Sequence, residues 1–359
     1  MITIQASVSK GWLNKTGGFK FNEEYYMEPL FRFEQDRKID LFVKEYFPQY
    51  PVYNMEDNLM QAEFINEKQI IVAGLQPNLI LGILLGSKAV YFEDKDCDIA
   101  GKPLENCDNI NELPPLKSLV SLPLIKEITN QIIQLKKTHP EYTVIPPFFW
   151  DASGRATIHG IITTSHKLIG ENIYMLMVSD PPLAHSIHQW ITDAYLILIK
   201  YFSELCSFPV SSIHIGECSC TMLSPEYFKQ FVIPYINILG TTYKSVRLHS
   251  CGNSDCYIDS FSEIPSLKSL DVGSGTSISK IRSKFGNKIS ISTFPSPDLL
   301  INGSNIDNLH LWIDSLINEN QEGDLRISYH IEPGYDLKNC SEIHERLINR
   351  YNIKHNRLY

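Results

Sequence analysis

His249, Ser250, Cys251 and Gly252 follow the strand-like run Val246-Arg247-Leu248. Residues two apart in a strand share one side, so an imidazole and a thiol leave this strand end together. Nitrogen and sulfur suit Zn²⁺, but catalytic zinc takes three protein ligands and structural zinc four. The pair is therefore either part of a metal site or a polar strand end with a buried thiol. A second cluster, Glu217-Cys218-Ser219-Cys220, closes another strand-like run. If that strand continues, Cys218 and Cys220 face the same way; otherwise they are small buried hydrophobes, as free cysteines usually are. Glu217 needs a partner in either case, because a carboxylate at a buried strand end is costly unless it is paired, ligates a metal or meets a cationic substrate.

Asp94, Asp96 and Asp98 alternate after Lys88-Ala89-Val90-Tyr91-Phe92. They read either as carboxylates sharing a face that binds a cation or polarises a substrate, or as a solvated loop. His159 and His166 are scattered, and His185 and His188 fall on a long helical stretch away from any strand end. His330, near the last strand, approaches the region of interest.

The elements that must position these groups alternate along the chain. Residues 1–65, rich in aromatics and charges and interrupted at Glu28-Pro29 and Phe47-Pro48, read as an N-terminal cap or extension, and 66–359 as the main domain. From Gln69 a strand, a Gly74 and Pro77 turn, a helix and a strand follow, then a loop over 103–116 and a helix over 122–137. Pro181-Pro182 opens a long amphipathic helix carrying Leu183, Ile187, Trp190, Ile191, Ala194 and Leu198 at three- and four-residue steps. Beyond 210 the order is strand, a Ser224-capped helix over 225–239, strand, helix over 254–264, strand, helix over 277–285 and strand. Repeated strand–helix units favour a parallel sheet, doubly wound or closed into a barrel, and periodicity alone does not choose between them.

A chain of 359 residues with 20% charged and 43% hydrophobic residues has an ordinary globular composition and can bury a large core. The net charge of −9 opposes binding to nucleic acid. The first residues lack an uninterrupted apolar core, and no later run reaches the roughly 20 apolar residues that span a bilayer, so the cytoplasm is the expected compartment. Eight cysteines are too dilute for a disulfide scaffold and are expected as thiols.

The stretch Glu217-Cys-Ser-Cys-Thr-Met-Leu-Ser-Pro-Glu-Tyr-Phe through Pro234-Tyr235, with Arg247-Leu248-His249-Ser250-Cys251-Gly252, resembles the uroporphyrinogen decarboxylase-like superfamily. Its His-x-Cys turn is similar to that of the zinc-dependent methyltransferases, which include the corrinoid:coenzyme M enzymes and, more distantly, cobalamin-independent methionine synthase. The likeness runs from about residue 20 and implies an α/β fold, a (β/α)₈ TIM barrel with an N-terminal extension. It also implies a methyltransferase in which His249 and Cys251 bind zinc and the metal activates a small thiol-type acceptor. The resemblance further implies a small-molecule substrate, methyl-corrinoid as donor on a partner protein, and a homodimer as a possible assembly.

In the family a third ligand, a cysteine, follows the last strand, where this chain has Gly334-Tyr335. Tyr335, Cys340, Cys218 and Cys220 are the candidates to complete the site, with Asp271 as a substitute carboxylate; otherwise the metal has been lost. Glu217, Asp94 and Asp98 are the candidates to orient the substrate. The family's decarboxylase signature of N-terminal arginines has no counterpart, Arg32 and Arg37 being the nearest. The alternatives are a metal-free, decarboxylase-like enzyme for a small anion and a non-catalytic small-molecule-binding barrel.

Overall fold

Polar and apolar residues alternate along the strands, and the alternation decides which face each residue takes. The computed structural model describes residues 1–53, 68–148 and 154–351. Its strands are β1 (Ile2–Val8), β2 (Val52–Tyr53), β3 (Gln69–Ile71), β4 (Ala89–Val90), β5 (Asp98–Ile99) and β6 (Thr143–Ile145). They continue as β7 (Arg155–His159), β8 (Ser212–Gly216), β9 (Val246–Ser250), β10 (Leu267–Val272), β11 (Ser290–Thr293) and β12 (Leu325–Ile331). One eight-stranded sheet has the order β2-β1-β12-β11-β10-β9-β8-β7, and its strands pair in parallel. A parallel pair β3–β6 abuts β7, where Thr157 N–H donates to the Phe148 carbonyl at 2.6 Å. Helices connect successive parallel strands, as parallel pairing requires. The fold is the expected (β/α)₈ barrel.

In β12, Leu325, Ile327, Tyr329 and Ile331 are buried against the helices, while Ser328 and His330 face a central cavity. β9 repeats the pattern with Val246 and Leu248 outward and Arg247 and His249 inward. Each fully buried aliphatic side chain contributes about 1.5–3 kcal/mol, so the outer layer between sheet and helices supplies the main driving force. Barrel interiors are usually filled by branched apolar side chains; this one is polar at its upper end, which leaves room for chemistry.

The helix Pro181–Cys206 forms as its spacing predicts, capped by the Asp180 carboxylate accepting from Leu183 N–H at 3.1 Å. His185 and His188 lie on it away from the cavity, held by the Tyr235 hydroxyl and the Phe231 carbonyl. Three readings differ from the structure. The helix expected over 225–239 is two, Pro225–Phe231 and Ile233–Tyr243, because Pro234 has no N–H and its ring crowds the carbonyl four residues back. The helix expected over 254–264 is a 3₁₀ turn, Asp255–Tyr257, followed by the single turn Ile258–Phe261. The cap expected over 1–65 begins with a strand of the main sheet, since β1 pairs with β12 along its length; the expected boundary at residue 65 lies outside the described residues. Among the described residues no helix is long and apolar enough to cross a membrane.

Candidate metal centre and cavity

In β8–β10, Gly216 lies opposite His249 and His249 opposite Asp271. Cys218 follows β8 in a 3₁₀ turn, Cys218–Met222, and Cys251 follows β9. One ligand atom each from Cys218, His249 and Cys251 lies within 4.8 Å of the others, and no other such group of His, Cys, Asp or Glu occurs among the described residues. The donor set of two thiols and one imidazole is one that zinc accepts, with a fourth position left for a substrate atom. Cys251 is exposed, whereas Cys218 and His249 are half-buried, so the cluster opens outward.

Asp271 Oδ2 lies 3.0 Å from His249 Nδ1 and accepts from Arg247 Nη2 at 2.9 Å. The His249 contact is short but off the line of a ring N–H, and Nδ1 has no hydrogen-bond partner. A carboxylate beside a histidine is the usual means of orienting a metal-binding imidazole. Burial opposes ionisation of Asp271, yet Arg247 and then His249 outweigh it and hold its carboxyl well below the usual carboxylate range. Burial likewise opposes protonation of His249, but Asp271 and then Cys251 raise its pKa to about 10. Cys251 is drawn well below a free thiol by the Cys218 thiol, then His249, and Cys218 is pushed up in turn. The shifts favour the charged forms of both Cys251 and His249.

Cys218 and His249 of the cluster line a cavity of about 250 Å³. Gln5 of β1, Thr157 of β7, His214 of β8, Arg247 and His249 of β9 and His330 of β12 contribute to its wall, so strands from both halves of the eight-stranded sheet meet around it. Lys10 and Arg32 reach the wall from the N-terminal helices Lys10–Gly17 and Pro29–Tyr46, where they pair with Asp96 at 2.7 Å and Asp36 at 3.3 Å. Gly74 leaves room for the Arg32 guanidinium, which a Cβ there would have to displace.

Residues 79–306 match the model of the uroporphyrinogen decarboxylase (URO-D) family. The chain belongs to that family. A solved methyltransferase from Methanosarcina mazei superposes with a TM-score of 0.60 at 15% identity, covering 98% of this chain and 94% of that one. A B12-independent methionine synthase from Shewanella sp. W3-18-1, in complex with selenomethionine, is more distant, with a TM-score of 0.46 at 10% identity and 98% of each chain covered. No curated protein matches the chain. The first likeness supports the barrel; family membership, read from the sequence, is borne out.

The other residues singled out in the sequence are placed elsewhere. Cys220 is buried, its Sγ 3.6 Å from Ser250 Oγ, because the strand ends at Gly216 and the two-residue repeat lapses in the 3₁₀ turn. Cys340 is buried on the helix Leu337–Tyr351, where its carbonyl accepts from the Tyr329 hydroxyl at 2.7 Å and burial raises its thiol to about 12. Tyr335 pairs its backbone with Ile301 and is absent from the cavity wall. Asp94 is exposed in the turn between β4 and β5, and Asp98 binds Lys167 at 2.7 Å; of the three aspartates only Asp96 reaches the wall.

Glu217 is fully buried and caps the helix Ile161–Ile169: Oε1 accepts from Ile161 N–H at 2.6 Å and Oε2 from Thr163 N–H at 3.3 Å. Burial raises its pKa to about 7, although these N–H groups oppose the rise. Gly160 makes room for it, since a Cβ at that position collides with the carboxyl. The start of this helix, rather than a substrate, offsets part of the carboxylate's burial cost at the strand end. Sequence reasoning missed Lys10, Arg32, Thr157, His214 and Arg247. The signal for the last three was the alternation in Ala156-Thr157-Ile158-His159, Ile213-His214-Ile215 and Val246-Arg247-Leu248, with polar residues at the inward positions.

Proposed function

We propose that this chain is a zinc-dependent methyltransferase that moves a methyl group from a corrinoid or other donor to a small thiol-type acceptor. The observation carrying the reading is the convergence of Cys218, His249 and Cys251 among the strand ends, with Cys218 and His249 lining the cavity. Zinc in that site would supply Lewis acidity, lowering the pKa of an acceptor thiol at the open position. His249 and the two cysteines would hold the metal, Asp271 would orient His249, and Arg247 would keep Asp271 ionised. The exposed side of Cys251 leaves the donor a route from solvent. This reading takes the cytoplasm as the compartment and a corrinoid protein as the partner.

The test is elemental analysis of protein purified without chelator, together with thiol-dependent demethylation of methylcobalamin followed by absorbance. About one zinc per chain, and loss of both zinc and turnover in Cys218→Ser, support the reading. Absence of zinc, or full activity in Cys218→Ser, overturns it. A second reading, a metal-free enzyme acting on a small anion, is favoured by Lys10, Arg32 and Arg247 at the cavity wall. It requires His249→Ala and Cys251→Ser to leave turnover of that anion independent of metal.

A further inference from the structure

One rung below the metal cluster, Thr157 of β7 lies opposite His214 of β8, which lies opposite Arg247 of β9. Adjacent strands are about 4.8 Å apart, so the three form a short arc across the inner wall. All three line the cavity. Thr157 and His214 are 3% and 6% exposed. Thr157 Oγ1, His214 Nδ1 and Arg247 Nε are each buried without a hydrogen-bond partner among the described residues. Leaving a buried polar atom unsatisfied costs about 1–3 kcal/mol, and three neighbours in one rung are unexpected unless something else meets them.

What they can offer is donors: a hydroxyl, a ring N–H in the Nδ1 tautomer and a guanidinium N–H. Among the described residues, the two carboxylates on the cavity wall are already engaged, Asp96 with Lys10 at 2.7 Å and Asp271 with Arg247 Nη2 at 2.9 Å, which leaves Arg247 Nε for another acceptor. We propose that Thr157, His214 and Arg247 form a binding subsite for a carboxylate group of the substrate, seated in front of His214 and one layer deeper than the metal. A planar group with two acceptor oxygens suits three single donors in an arc, and a cavity of about 250 Å³ admits a small molecule. The subsite deepens the methyltransferase reading by naming a second contact for its substrate, but its donors are distinct from the metal ligands.

The experiment is calorimetric titration of the chelator-treated full chain with acetate, repeated with methylammonium and inorganic phosphate, on wild type, Thr157→Val and His214→Phe. Saturable acetate binding, no methylammonium binding, and at least about fivefold weaker acetate binding in Thr157→Val are expected, the last from loss of one hydrogen bond to a charged group. Thr157→Val keeps the side chain's shape, so it remains informative if His214→Phe fails to fold. Equal acetate affinity in wild type and Thr157→Val, no acetate binding at all, or tighter binding of phosphate than of acetate overturns the proposal. Zinc content is measured on separate, chelator-free samples. Failure of the metal reading therefore shows there, while failure of the subsite shows only in the anion titrations.

Discussion

The tips of β8 and β9 and the tip of β12 stand around the same cavity, yet they have been equipped differently. At β8 and β9 two thiols and an imidazole converge. At β12, His330 reaches the wall with its Nδ1 2.8 Å from Ser7 Oγ, and the chain then turns through Gly334 so that Tyr335 bridges to Ile301. The pattern that the sequence resembles draws its third sulfur from the β12 side, where this chain has Tyr335 at the strand tip and Cys340 buried on the helix that follows. Cys218 stands beside His249 and Cys251 because β8 and β9 are hydrogen-bonded neighbours. A ligand set is a property of neighbouring strand ends, so a donor missing from one strand can be supplied by another without disturbing the barrel.

The largest expected effect removes the β8–β9 cluster. Cys218→Ser, His249→Ala and Cys251→Ser should each abolish stoichiometric zinc and reduce methyl transfer by roughly a thousandfold or more, since Lewis-acid stabilisation contributes several kcal/mol. Elemental analysis and the methylcobalamin assay read both. If Cys218→Ser alone retains zinc, the contrast between the two tips fails. Next, Asp271→Asn should weaken zinc binding about 10–100-fold in competition with a chromophoric chelator, as loss of an orienting carboxylate does elsewhere.

The comparison is sharpened by Tyr335→Cys. The backbone of Tyr335 is held against Ile301, so a thiol there should leave zinc affinity unchanged, whereas an increase would bring the β12 tip into the site. Cys220→Ala and Cys340→Ala should likewise leave zinc content intact and cost about 1–2 kcal/mol in denaturant unfolding, as small core deletions do.

The pH dependence has a definite sign. Zinc must displace the proton that His249 holds up to about pH 10, so apparent affinity in the chelator competition should rise with pH below that value. In metal-free protein, the raised His249 pKa contributes stability that is complete below the unfolded value near 6.5 and lost as pH rises through about 10. His249→Ala should flatten that loss in urea midpoints measured between pH 7 and pH 10.5. Glu217 provides a slope in the acid range. Its raised pKa means the fold favours the protonated acid, so stability should fall between pH 4.5 and pH 7, and Glu217→Gln should remove that slope without changing zinc content.

The sequence revealed the barrel through alternating strands and helices together with the family resemblance, and it revealed His249 and Cys251 because a strand's two-residue repeat is local. It failed at Cys218 against Cys220 for the same reason in reverse. The repeat holds only while the strand lasts, and β8 ends at Gly216. Asp94, Asp96 and Asp98 misled similarly, since β4 and β5 are separate short strands joined by a turn rather than one extended run. Glu217 was correctly marked as needing a partner, but that partner, the start of the helix after β7, lies more than fifty residues away.

From the sequence, read with its family resemblance, came the class of fold, the motif at the end of β9, the need for a third ligand and the short roster of candidates for it. Which member of that roster stands within reach, where a buried carboxylate finds its donors, and how Lys10, Arg32 and the Thr157-His214-Arg247 rung come to share a single wall were decided only by closing the sheet. Local periodicity fixes a side chain's direction over a few residues. Proximity between strands is set by how the sheet is ordered and registered, and those are properties of the whole folded chain.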